Sequence, residues 1–177
     1  MKPIDFVLVT GLALLTQFGS PATHPAAPAG LERALPLTDE HTVVVAHLDV
    51  RRVDVNAWAA AVLEFLADQG DSMAQSVDQS RQAVQTWLGT FMEAGAHDAY
   101  LMVSLSDLGR EPPLAVVVPL GEGSDATRIG TILKQSGMFG NVKSETVRGC
   151  VVMAHEAVLE RLKSTPQKTT RPFEAVF

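Results

Sequence analysis

Tyr100-Leu101-Met102-Val103-Ser104-Leu105 and Leu114-Ala115-Val116-Val117-Val118-Pro119-Leu120 are the two runs whose reading decides the fold. Both are short, almost continuously apolar and rich in β-branched residues. Runs without polar alternation belong to strands placed centrally in a sheet, with at least one face fully covered. The segment between them, Ser106 to Pro113, is dense in turn residues and charge, so the pair reads as a hairpin.

Upstream, Thr42 to Val50 reads as a first strand. Val44, Ala46, Leu48 and Val50 alternate onto the expected core face, and Val43, Val45, His47 and Asp49 onto the other. Asp54 suits the N-cap of a helix running to about Gln69, with Val55, Trp58, Ala59, Val62, Leu63 and Leu66 on one stripe. Gly70 stops it. A second helix spans about Ser72 to Ala94, with Met73, Val77, Val84, Trp87, Leu88, Phe91 and Met92 as its apolar face, and Gly95 ends it. These two helices form a helical hairpin inserted after the first strand.

Downstream, Ser124 is expected to cap a third helix running to Ser136, with Ala126, Ile129, Ile132 and Leu133 inside and Gly130 marking a close approach. Val142–Val147 and Cys150–Ala154 form a second hairpin about the two-residue turn Arg148-Gly149. Glu156 to Lys163 is a closing helix. The order predicts an α+β domain over residues 41–164, with an antiparallel or mixed sheet of about five strands. Its helices are expected on one face, in an enlarged ferredoxin-like (split β-α-β) order.

The ends read differently. Residues 1–22 have the form of a signal peptide: Lys2, an apolar run Phe6–Leu15, then small residues at Ser20 and Ala22. The run is shorter than the ~20 residues of a spanning helix. An uncleaved N-terminal anchor is the rival reading, and membrane contact is expected only through this leader. Residues 23–40, with Pro25, Pro28 and Pro36, read as a Pro/Ala-rich linker. Residues 165–177 read as a linker and the start of a further segment, since Phe173, Val176 and Phe177 begin an apolar stripe.

Composition narrows the function. The chain of 177 residues carries a net charge of −6, which argues against nucleic acid as a partner. The charge is uneven: 6 basic and 16 acidic residues lie in 1–125, against 8 and 4 in 126–177. This is read as two faces attracting weakly through water. Cys150 is the single cysteine, so no intramolecular disulfide forms, and in a strand it behaves as a small buried hydrophobe.

Candidate chemistry is sparse. Gly121-Glu122-Gly123-Ser124-Asp125-Ala126 follows a strand and opens a helix, the Gly-x-Gly-x-x-Ala form of a phosphate-cradling loop, so Gly121, Gly123 and Ser124 are the candidate anion-binding residues. Glu122 and Asp125 would set two negative charges beside the phosphates. His47 and Asp49 share a strand face and could supply two metal ligands, but no third is apparent. No nucleophile elbow, Walker loop, zinc-protease motif or paired-cysteine spacing occurs. No catalytic residue, metal or cofactor is therefore assigned.

The chain resembles exported bacterial α+β domains of unknown function. The likeness rests on Ala46-His47-Leu48-Asp49-Val50, on Ala94-Gly95 before the central hairpin, and on the closing hairpin plus helix. It implies a fold and no activity. The expected function is a periplasmic or cell-envelope domain, non-enzymatic, acting by binding a protein partner or by self-association. The alternatives are a nucleotide- or small-molecule-binding enzyme using the Gly121–Ala126 loop, and the front segment of a larger envelope scaffold.

Overall fold

The computed structural model describes residues 30–65, 71–108, 114–135 and 142–164. The expected leader, Gly70, residues 109–113 of the central connection and residues 165–177 lie outside them. The chain divides into two units: residues 52–90 among the helices, and a sheet unit built from the described residues up to Arg51 and from Phe91 onward.

In the helical unit, α2 (Val55–Phe65) is followed by α3 (Asp71–Glu93), whose last turn belongs to the sheet unit. Asp54 caps α2 as expected: its carboxylate accepts from the Asn56 and Ala57 amides at 3.0 and 2.9 Å. Asn56 Oδ1 then accepts from both Arg81 and Gln85, tying the two helices into the anticipated hairpin.

In the sheet unit, five strands pair antiparallel throughout: β1 (Thr42–Asp49), β2 (Asp98–Ser104), β3 (Leu114–Pro119), β4 (Lys143–Val147) and β5 (Cys150–Ala154). Their spatial order is β1-β2-β3-β5-β4. The α+β class and the five-stranded sheet are as the sequence predicts. The ferredoxin-like order is not what the sheet adopts. That order separates the first two strands, whereas here β1 pairs directly with β2, Asp49 opposite Asp98. A pair of helices returns the chain to the end of the sheet it left, which suits antiparallel neighbours. The single helix α4 (Ala126–Gln135) instead leads from β3 to β4, which run parallel with β5 between them.

Nor do the helices share one face. β5 is buried at all five positions, so both its faces need cover. Cys150, Val152 and Ala154 pack with Tyr100, Met102, Ala115 and Val117 beneath α5 (Glu156–Ser164), through Val158, Leu159 and Leu162. Val151 points the other way, toward Gly130 of α4, where an added Cβ would meet Ser144 Oγ at 2.7 Å. Apolar runs without alternation thus required two covering layers.

The linker reading also needs correction from Gly30 onward. Leu31–Ala34 forms a short helix, α1, continued by a 3₁₀ turn over Leu35–Leu37. Ala34 and Leu37 are fully buried in the core beneath α5. Arg33 donates to the Leu120 carbonyl, and Arg148 Nη1 donates to the Pro36 carbonyl at 2.5 Å. Arg148 and Gly149 both have positive φ, 51° and 73°, so the second hairpin closes on a type I′ turn.

Two glycines separate conformational from steric demands. Gly95 ends α3 in a Schellman arrangement: its own amide donates to Met92 and that of Ala96 to Phe91. Its φ is +82°, and a Cβ there would lie 2.9 Å from Ser124 Cα. Gly123 has φ +77° with nothing within 4 Å of a Cβ. Gly95→Ala should therefore cost about 2–3 kcal/mol, and Gly123→Ala about 1 kcal/mol, in denaturant melts. Val117→Asp, at a fully buried position, should abolish cooperative folding, because an unpaired buried charge costs several kcal/mol against a total of about 5–15. Val103 is only half-buried, and Val103→Asp should leave a folded, weakened protein.

Candidate functional site

The Gly121–Ala126 loop sits between a helix end and a helix start. Ser124 does not cap α4. Asp125 does, its carboxylate accepting from the Arg128 amide at 2.9 Å. Ser124 Oγ accepts from the Gly121 amide and donates to the Gly95 carbonyl, both at 2.9 Å. The Asp125 amide donates to the Ala94 carbonyl at 2.9 Å, and the Ser124 amide faces the Gly121 carbonyl at 3.3 Å. The Gly121, Ser124 and Asp125 amides and the Ser124 hydroxyl thus all have partners, within the loop or at the Ala94 and Gly95 carbonyls that end α3. The loop docks two helices together.

His47 and Asp49 do share a face, but they do not converge. His47 Nε2 lies 2.7 Å from Asp98 Oδ1, and its ring stacks on Tyr100 at 4.8 Å between centroids. Asp49 instead accepts from Arg51 Nε at 3.1 Å. Asp98 stands opposite Asp49 and diagonal to His47, within reach of a ring nitrogen. A carboxylate that orients an imidazole is half of a general-base pair. The neighbouring hydroxyl, however, is that of Tyr100, which burial and then the Asp98 charge hold in its protonated form. Cys150 is fully buried, its thiol pushed up to about 11 by burial and donating to the Arg33 carbonyl at 3.4 Å. His155, the one base near Cys150 in sequence, accepts from the Ala157 amide at the start of α5. Among the described residues, no three His, Cys, Asp or Glu side chains gather at metal-binding range.

The most elaborate polar cluster was not legible in sequence. Arg161 on α5 makes a bidentate pair with Asp107, Nε to Oδ1 at 3.0 Å and Nη2 to Oδ2 at 2.6 Å. Its Nη1 donates to Asp39 Oδ2 at 2.5 Å. The other oxygen of Asp39 accepts from Thr42, the His41 amide and Ser104. The partners lie 54 and 122 residues from Arg161, so no local pattern announces them. Asp107 and Ser104 are almost wholly buried, which marks the cluster as a clasp between three elements.

The surface gives a sharper contrast. Among the described residues the sheet has two edges, β1 and β4. β4 carries Lys143, paired with Glu156 at 2.5 Å, and Glu145, paired with Lys163 at 2.5 Å. β1 carries no acidic, lysine or arginine side chain between Thr42 and Leu48, and His47 is engaged by Asp98. Val43 and Val44 are 54% and 44% exposed, and the nearby Leu105 and Leu108 are 51% and 62% exposed. The strand was read correctly but its face was not: Val45, expected on the outer face, packs against the core beneath α5 opposite Met102, whereas Val44, expected in the core, lies exposed on an edge beside a register irregularity. Comparison of the chain with protein-family models, with curated proteins and with solved structures finds no match.

The clasp makes two expectations. Arg161→Met should cost about 3–5 kcal/mol by stranding two carboxylates, and adding Asp107→Asn should cost much less than the sum of the single changes. The Asp39 carboxyl is raised by burial, but the Thr42 hydroxyl, the Arg161 charge, the His41 amide and the Ser104 hydroxyl outweigh this and lower it. Its stabilisation is therefore full above the unfolded carboxyl range, near pH 4, and lost as pH falls through the lower folded value. Thermal melts of Asp39→Asn should accordingly show a flatter loss of stability below pH 4 than those of the parent.

Proposed function

We propose that this chain is an exported cell-envelope domain that works by binding or assembly rather than by catalysis, with the outer edge of β1 as its binding surface. The observation that carries the reading is the asymmetry of the sheet. One edge is closed by charge, and the other is left apolar and exposed beside Leu105 and Leu108. Native sheets blunt their free edges with charge, proline or cover, so an edge without them is suited to a partner. The ionisable groups of the sheet unit support the same reading, since Asp39, Asp107, Arg161, His47 and Asp98 are engaged with one another. Export is supported by the leader-like residues 1–22.

Cell fractionation followed by mass spectrometry of the intact protein tests location. The expected species is in the envelope and lacks residues 1–22, and a cytoplasmic species that retains them would refute export. A thermal-shift series with nucleotides, divalent cations and sugars tests the mode of action. No shift is expected. A nucleotide held at 100 times its dissociation constant would stabilise by about 2.7 kcal/mol, and such a shift would favour the Gly121-loop alternative over this reading.

A further inference from the structure

We infer that β1 pairs with β1 of a second copy of this chain, antiparallel about a two-fold axis at Ala46, so that one sheet runs through a dimer. This rests on the reading of the β1 edge as a binding surface and names its occupant.

The ladder limits the register. The Val50 amide donates to the His97 carbonyl at 2.9 Å, so Val50 and His97 form a hydrogen-bonded pair. Such pairs alternate along an antiparallel ladder. Leu48, Ala46 and Val44 therefore turn their peptide groups toward β2, and Val45, His47 and Asp49 turn theirs outward. Two copies can exchange hydrogen bonds only where outward residues meet outward residues. Setting Val45 opposite His47 of the second copy achieves this and places Ala46 opposite itself. That position is a non-hydrogen-bonded pair, where Cα atoms approach to about 4.5 Å and the two small side chains meet without hindrance. Val44 then faces Leu48 of the second copy on one apolar face. The irregularity between Thr42 and Val44 ends the pairing at Val44.

Charge favours this occupant. The one ionisable side chain between Thr42 and Leu48, His47, is engaged by Asp98 of β2, so this stretch holds no cluster of charge to recognise a charged peptide, and Asp49 lies opposite Val43 of the second copy while keeping Arg51. No like charges oppose each other. The pairing also closes. A two-fold contact consumes β1 of both copies and, among the described residues, leaves the two β4 edges, each carrying Lys143 and Glu145 in salt bridges. Assembly stops at two, and the apolar edge does not propagate into a fibre.

The full chain should show twice its monomer mass by light scattering, with a concentration-dependent return to monomer. Ala46→Cys should form an intermolecular disulfide under mild oxidation, because a separation of about 4.5 Å fits disulfide geometry. The native Cys150 is fully buried and does not compete. Val44→Lys should raise the dissociation constant tenfold or more while leaving the circular-dichroism melt of dilute protein near that of the parent, since Val44 is largely exposed. A chain that stays monomeric at every concentration overturns the proposal. So does a dimer that survives Val44→Lys and that Ala46→Cys fails to cross-link. A photoreactive side chain at Val44, used in cells, separates the two readings. An adduct of twice the chain mass supports the dimer. An adduct with a different protein keeps the binding reading and overturns the second copy. No adduct overturns both.

Discussion

One guanidinium, that of Arg161, holds the sheet unit together at its least covered corner. It is shared by Asp107, just after β2, and Asp39, just before β1, so it joins the closing helix to both arms of the first strand pair. Two carboxylates on one cation would be unfavourable if the second depended on charge alone. Asp39 does not, because Thr42, Ser104 and the His41 amide all donate to it. Hydrogen bonds thus offset the desolvation that the pair of charges cannot. The clasp also fixes where β1 begins. Asp39 accepts from Thr42 Oγ1, and the Asp39 carbonyl accepts from the Thr42 amide, one residue before the register irregularity.

The features legible in sequence were those with a local cause. Asp54, Gly95 and Arg148-Gly149 each satisfy a backbone requirement within a few residues, and each stands where composition placed it. The helical hairpin and the five strands followed from periodicity. What stayed hidden depends on register and on distant partners. Ser124 looked like a cap because it precedes a helix, yet Asp125, one residue later, has the geometry, and Ser124 is drawn to the end of α3. Proline content made residues 30–37 look like a linker. Two apolar side chains, Ala34 and Leu37, outweigh that signal once α5 and the sheet offer a core to enter. Ala34 and Leu37 lie three apart, too short a pattern to be read as amphipathic.

The uneven charge of the chain has a more specific meaning than two faces attracting through water. The basic C-terminal part meets the acidic N-terminal part at close range: Arg161 with Asp39 and Asp107, and Arg128 with Glu93 at 2.8 Å. The first contact is largely buried and its geometry is bidentate, the condition under which an ion pair specifies an arrangement. The second is exposed and contributes little beyond solubility.

The same helix explains why the two sheet edges differ. α5 presents Glu156, Glu160 and Lys163 toward β4, where they meet Lys143 and Glu145, so the contacts that seat the helix also place fixed charges along that edge. Lys163 is held well into the protonated range, its value raised to about 12 by hydrogen bonds to Glu145 and Glu160, so the guard persists across physiological pH. α5 lends no such charges to the outside of β1. Its cationic neighbour there, Arg161, is turned inward to Asp39 and Asp107 and has no part in the edge. The residue that stabilises the corner thereby leaves its outside apolar. A fold that commits its buried cation to the start of β1 while pairing charges along β4 has, by the same set of contacts, one edge lined with salt bridges and one edge where valines stand exposed.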